Sequence, residues 1–395
     1  MTRKNIAVGI DIGTFQVKIV VAERGPQAPV ILATVCAESK GLRHGYVVNV
    51  PEVSRAVRAA KEAAEKQSGI RIDSAYVSIG GIGLSGFTAS GTIPIARQDN
   101  EITEHDIEEA ARAAEENIPH GEMQNKTIIN SIPIEYIVDK KPVYGKVVGM
   151  EGEELTAKVL FLTCLESHVS DLRDALADAD IEIIDISPAP IAASFVTLTK
   201  SQKVAGCVLA NIGSETVSVA VFENNIPISL EVFPIGSTNI THDIALGMKI
   251  SLEEAEMLKR GGLVNADYPK KKLDDIISSR LSDIFELVEA HLKKIGRSQL
   301  LPAGIIITGG GAGITTIEDY AKASLRLPSR IAHIEIGNRE KTMRDSTWAV
   351  AYGLCFLGLN QEQDLPVSMA SISGILKRPG KLGKSARHWF SKFMP

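Results

Sequence analysis

Apolar and polar positions change rhythm several times along the chain. Ile6-Ala7-Val8-Gly9-Ile10 is a short apolar run that ends at a glycine turn, Gly13, and predicts a strand. Residues 17–21 and 30–35 predict two more strands, and Gly25-Pro26 supplies the turn between them. Over residues 52–66 the spacing becomes helical, with Val53, Ala56, Val57, Ala60 and Ala64 on one face. Between residues 84 and 164 the pattern is mixed. Strand-like runs at 88–95, 126–136 and 155–162 surround a helix that Thr103 caps and that carries Ile107, Ala110, Ala111 and Ala114. This region reads as a small α+β insert.

Strand rhythm then returns. Residues 204–210 and 216–222 flank a loop at 211–215. Residues 252–260 and 273–296 predict helices, the second with Ile276, Ile277, Leu281, Ile284, Phe285, Val288 and Leu292 on one face. That stripe reads as core, and the preceding Lys270-Lys271-Lys272 as a solvated helix start. Ile305-Ile306-Ile307 predicts a buried strand leading into Gly309-Gly310-Gly311, and residues 348–357 an apolar helix. A strand–glycine turn–strand unit therefore occurs twice, at 6–21 and at 204–222. Such a repeat suggests two similar domains facing one cleft.

Composition narrows the picture. The chain has 395 residues, of which 44% are hydrophobic and 23% charged, as in an ordinary globular protein long enough for more than one core. A net charge of −5 gives no general affinity for nucleic acid. Cys36, Cys164, Cys207 and Cys355 form no CxxC pair, which argues for reduced thiols and against a zinc site. No secretory leader is expected at Met1-Thr2-Arg3-Lys4, and no stretch reaches the ~20 apolar residues of a spanning helix. Any membrane contact is expected to be peripheral. His242 and Asp243 are adjacent on a helix and point apart, so they make no acid–base pair.

Three glycine-containing turns carry candidate chemistry. In Gly9-Ile10-Asp11-Ile12-Gly13-Thr14, exposed backbone N–H groups can cradle phosphate, Thr14 adds a hydroxyl, and Asp11 can hold Mg²⁺ through water. On its own this turn is equally readable as a plain hairpin. Asn211-Ile212-Gly213-Ser214-Glu215-Thr216 occupies the matching place in the second unit, and Gly309–Gly311 permit close approach of a base or phosphate.

In this order the turns resemble those of the actin superfamily and, within it, the FtsA family of bacterial cell-division actin homologues. The resemblance runs over nearly the whole chain. Residues 9–14 look like the family's first phosphate loop, 211–216 like the second, and 305–311 like the adenosine motif. Ala255-Glu256-Met257-Leu258-Lys259 looks like the helix whose Glu and Lys approach ribose and adenine. Pro234-Ile235-Gly236-Ser237 with Thr241-His242-Asp243-Ile244 matches a further segment. Within the insert, residues 132–139 and Gly149-Met150-Glu151-Gly152 look like the family's own subdomain.

The resemblance implies an α/β actin-like fold of two similar domains around a nucleotide cleft, with a small α+β insert and a C-terminal amphipathic helix. Residues 1–83, 165–187 and 345–364 would form the first core, and 84–164 the insert. Residues 188–245 and 305–344 would form the second core, with 246–304 a smaller subdomain, 365–384 a linker and 385–395 a membrane-targeting helix. ATP and Mg²⁺ would be bound by Asp11, Gly13, Thr14, Phe15, Gln16, Lys18, Asn211, Gly213, Ser214, Glu215, Thr216, Gly236, Ser237, Glu256, Lys259, Gly309, Gly310 and Gly311, with Asp11 serving the metal. The implied partners are the C-terminal peptide of the tubulin homologue FtsZ, other divisome proteins, anionic lipids and further copies of the chain. Arg280 and Arg297 are candidate contacts to the acidic FtsZ peptide.

Departures from the family pattern bear on catalysis. Asn211 stands where the second loop usually has Asp, and Glu215 where it has Gly. Phe15-Gln16 replaces Ser-Lys. Pro188-Ala189-Pro190 offers only Ala189 where related ATPases orient a water. Phosphoryl transfer depends on positioning and charge neutralisation, so ATP binding with little or no hydrolysis is expected, and no catalytic residue is assigned.

The C-terminus has its own pattern. After Asp364 the chain has no acidic residue, and residues 368–384 are rich in Ser, Gly and Lys. Residues 385–394 then place Ala386, Trp389, Phe390, Phe393 and Met394 on one helical face, and Arg387, His388, Ser391 and Lys392 on the other. Such a segment suits an anionic headgroup layer; packing on the body of the protein is the other reading. A pilus-assembly adaptor of the PilM type, or an actin-fold ATPase or chaperone, stays open as an alternative, and the basic aromatic terminus weighs against the adaptor.

Overall fold

The computed structural model describes residues 6–25, 28–97, 99–143, 145–262, 268–334 and 345–360. In chain order the first unit runs β1 (Ile6–Ile12), β2 (Gln16–Glu23), β3 (Val30–Glu38), the short hairpin β4 (Leu42–Arg43) and β5 (Tyr46–Val47), α1 (Val50–Ser68) and β6 (Ser74–Ile79). The insert follows as β7 (Ser85–Pro94), α2 (Glu104–Glu116), β8 (Lys126–Val138), β9 (Lys141–Val143) and β10 (Glu154–Leu165). The chain returns through α3 (Glu166–Asp178), β11 (Glu182–Pro188), α4 (Ala189–Thr197) and α5 (Lys200–Ala205). The second unit is β12 (Cys207–Ile212), β13 (Val217–Glu223), β14 (Ile226–Phe233), α6 (Ser237–Met248), α7 (Leu252–Lys259), α8 (Lys270–Lys294), β15 (Ile305–Thr308), α9 (Ile317–Leu325), β16 (Ser329–Ile331) and α10 (Ala349–Asn360).

The two main sheets have the same topology. One is ordered β3-β2-β1-β6-β11 and the other β14-β13-β12-β15-β16. In each, three antiparallel strands continue into two parallel ones. The fold is thus actin-like, two copies of one α/β unit. Helix α10 lies on β1, β2 and β6, and α4 touches both α10 and β12–β13, so these two helices are enclosed by the sheets. Ile191, Ala192 and Ala193 of α4 share one core with Leu354 and Leu357 of α10 and with Leu209 and Ala220 of the second sheet. On the outer face of that sheet, Leu281, Ile284, Phe285, Val288 and Leu292 of α8 pack on Val208, Val219 and Val221, which makes the α8 stripe core. The insert's antiparallel sheet, β7-β10-β8-β9, carries α2 on one face and meets β14 of the second unit.

Local signals explain most element ends. Asn49 caps α1 by accepting from the Glu52 N–H, and Gly69 closes it in the left-handed conformation. Thr103 and Asp106 form a capping box at α2. One expectation fails: Val204 and Ala205, read as the start of a strand, end helix α5 instead. Thr199 and Gln202 cap that helix reciprocally, and Gly206, at φ 101°, breaks it before β12 begins. Trp348, read as the first helical residue, closes a 3-10 turn ahead of α10.

His291 of α8 joins the outer helix layer to β14. It is buried, within 2.7 Å of the Ser229 hydroxyl, and burial pushes its pKa down from 6.5 to about 4. Below the ordinary value the unfolded chain takes up a proton that the folded chain refuses. Stability is therefore expected to fall as pH drops from 6.5 towards 4, by at most about 3 kcal/mol from this group. Urea unfolding between pH 7 and 5 should show a shallower loss for His291→Gln than for the parent chain.

Candidate nucleotide cleft

The two phosphate-loop candidates are the same turn built twice. The Gly13 N–H donates to the Gln16 carbonyl (3.1 Å), and the Gly213 N–H to the Thr216 carbonyl (2.8 Å). Each turn joins the two central antiparallel strands of its sheet.

Asp11 and Lys18 face each other across β1 and β2. The Ser78 hydroxyl, from β6, donates to Asp11 Oδ1 (2.8 Å), and Lys18 Nζ donates to the Thr347 carbonyl (2.7 Å). Lys18 also lies 5.6 Å from the Trp348 ring centroid. Desolvation pushes the Asp11 pKa up, against the Lys18 charge and the Ser78 bond; it pushes the Lys18 pKa down, against Asp11 and Asp345. Phe15 is 59% exposed, so its ring takes no part in a buried cradle. Thr14 Oγ accepts from the Gly45 N–H (3.1 Å) and keeps its own proton to donate.

The second loop is held from behind by α6. Ser237 and Thr238 N–H groups donate to the Gly213 and Ser214 carbonyls (2.9 and 2.8 Å), and Asn239 caps the Gly236 N–H (2.9 Å). The first amides of α6 are thus spent on the loop itself. Glu256 and Lys259 of α7 pair at 2.6 Å, and both bond Thr241 of α6, at 2.6 and 2.9 Å. Lys259 reaches the Ser237 carbonyl as well (3.2 Å). Burial would raise the Glu256 pKa, but the bonds from Lys259 and Thr241 outweigh it and hold the carboxyl below its usual range. Gly309 and Gly311 sit against Asn211 and Ile212, while Gly310 faces open space. Loop and glycine run thus meet at the end of β12, and the α7 pair is tied to the loop through Ser237 of α6.

Other predicted residues lie apart. Arg280 makes a two-pronged bond to Asp243 (2.7 and 3.1 Å) and another to Asp283 (3.1 Å). Arg297 forks onto Glu223 (2.5 and 3.0 Å). Both guanidiniums already have carboxylate partners, so an acidic peptide would have to displace or share them. Arg387, Trp389, Phe390, Lys392, Phe393 and Met394 fall outside the described residues, as does the linker before them. Sequence reasoning missed Ser78 and the His44-Gly45 turn, which bonds both loops; glycines at 41 and 45 were the available signal. Among the described residues no group of three His, Cys, Asp or Glu side chains is assembled for a metal ion.

Comparison with known proteins gives this geometry a family. The family model for the cell division protein FtsA matches residues 208–353, and that for the SHS2 domain inserted in FtsA matches residues 81–163. The chain belongs to the FtsA family. FtsA of Pseudomonas aeruginosa is 27% identical over 391 residues, covering 93% of this chain and 92% of its own. FtsA of Bacillus subtilis is 28% identical over 354 residues, covering 84% and 79%. Among solved structures, the PilM-PilN type IV pilus biogenesis complex superposes with a TM-score of 0.68 at 18% identity, covering 89% of this chain and 98% of that one. MreB5 of Spiroplasma citri bound to ADP gives 0.54 at 13% identity, covering 91% and 99%. At these identities the two structures share the fold. The pilus-adaptor alternative has that likeness alone, whereas the FtsA relatives match in sequence along most of the chain. The insert expected from residues 132–139 and 149–152 is the part the FtsA-specific SHS2 model recognises.

Proposed function

We propose that this FtsA family member is an ATP-binding, filament-forming cell-division protein that tethers the FtsZ ring to the cytoplasmic face of the cell membrane at midcell. The observation that carries the reading is the FtsA match on both the second unit and the insert of one chain. Nucleotide would lie between the twin loops, with its base towards Gly310 and the Glu256–Lys259 pair. Mg²⁺ would be held by Asp11 through water and otherwise by phosphates, as suits an ion that keeps most of its hydration. Asn211, a neutral amide, supplies no charge to hold an attacking water, so hydrolysis is expected to be slow or absent. Copies would stack into filaments, with the insert contributing to the contact. Each copy would add a C-terminal helix, and many weak anchors would act together. Among the described residues no helix is long and apolar enough to cross a membrane, so the anchor proposed is the terminal segment.

Sedimentation with anionic vesicles tests this reading. The full chain is expected to pellet with vesicles, more so with ATP-Mg²⁺, and a chain ending at Lys384 to stay in solution. Equal pelleting of both would contradict the tether.

A further inference from the structure

The two phosphate loops are joined by a third piece of chain. In the β4–β5 hairpin, the His44 N–H donates to Glu215 Oε2 at 2.6 Å, and His44 Nδ1 lies 3.3 Å from the Glu215 carbonyl. The next residue, Gly45, donates its N–H to Thr14 Oγ at 3.1 Å. The His44 carbonyl is fixed in turn by the Ile82 N–H (3.3 Å). One turn of the first unit thus bonds the first loop through Thr14 and the second loop through Glu215. The contact to Glu215 spans 171 residues and crosses from one unit to the other.

A carboxylate that accepts from a main-chain N–H at 2.6 Å makes a short charge-assisted bond. It is a strong way to join two backbones, and it leaves a negative charge beside both loops. A nucleotide whose base rests near Gly310 and the α7 pair extends its phosphates towards these loops. The terminal phosphate is the farthest from the base, so it would be the one to reach the clasp. In a triphosphate that group carries the most charge and would come nearest Glu215. In a diphosphate it is missing.

We infer that Glu215 is a specificity-determining residue: it clasps the two loops together through the His44-Gly45 turn and sets the cleft against the γ-phosphate, so that a nucleoside diphosphate binds at least as tightly as the triphosphate. The inference rests on the nucleotide reading above and deepens it. Like charges held close in a partly desolvated cleft repel, so removing the Glu215 charge selectively favours the triphosphate. Asn211, a neutral amide on the same loop, contributes no compensating charge.

The test is equilibrium binding of ADP-Mg²⁺ and ATP-Mg²⁺ to the full chain and to two variants. Glu215→Gln keeps an acceptor for the His44 N–H and removes the charge. Glu215→Gly removes clasp and charge together. The parent chain should bind ADP as tightly as ATP or more so. Glu215→Gln should tighten ATP about tenfold while leaving ADP within about twofold. Glu215→Gly should show the same shift in the ATP-to-ADP ratio, with a lower melting temperature of the nucleotide-free protein. A parent chain that binds ATP about tenfold more tightly than ADP would overturn the inference, as would a Glu215→Gln variant in which the ratio is unchanged. Binding of neither nucleotide to any of the three chains would remove the nucleotide reading itself, and the inference with it.

Discussion

Gly310→Leu is expected to cost at least about a hundredfold in ATP affinity, which is about 2.7 kcal/mol, while leaving the fold intact. Gly310 opens the turn after β15, and a Cβ there would meet nothing within 4 Å. A Cβ can therefore be added without a clash, and a leucine is expected to extend into the space proposed for the base. Its neighbour behaves differently. Gly309 has φ 89°, and a Cβ would come within 2.4 Å of Asn211 Oδ1 and 2.5 Å of the Ile212 carbonyl. Gly309→Ala should lose nucleotide binding and also about 2 kcal/mol or more of stability. Titration with a fluorescent ATP analogue, paired with thermal melts, separates the two. Unchanged affinity in Gly310→Leu would place the nucleotide elsewhere.

The second large effect is purely structural. Where α4 and α10 cross between the sheets, a Cβ on Gly353 would lie 1.9 Å from the Ala192 carbonyl oxygen. Backbone meets backbone there, and no side chain can yield. Ala192 and Leu354 belong to the core that both sheets share, so spreading this crossing loosens the two units at once. Gly353→Val is expected to destabilise by about 3 kcal/mol or more, with little soluble protein on expression. A melting temperature equal to that of the parent would contradict the enclosed crossing.

The repeat was legible because it rests on short local patterns. Apolar runs at 6–10 and 305–307 became β1 and β15, and the glycine turns after β1 and β12 became the twin loops. The Thr103 cap and the α8 stripe were readable for the same reason. Helix α4 was not read, although Pro190 falls in its first turn, where proline is tolerated. Strand β6 was missed too, although its Ser78 fixes Asp11. The clasp was out of reach for another reason. Glu215 reads as an ill-placed charge on a phosphate loop, and only the fold brings His44 to it across 171 residues. The guanidiniums of Arg280 and Arg297 likewise read as free cations, while the fold supplies Asp243 and Glu223 as partners.

The most direct test of the account is vesicle flotation with FtsZ present. The full chain with ATP-Mg²⁺ should carry FtsZ up with anionic vesicles, and neither the chain ending at Lys384 nor FtsZ lacking its C-terminal peptide should support it. If the full chain floats but FtsZ stays behind, the protein binds membranes without tethering the ring, and the central claim is wrong.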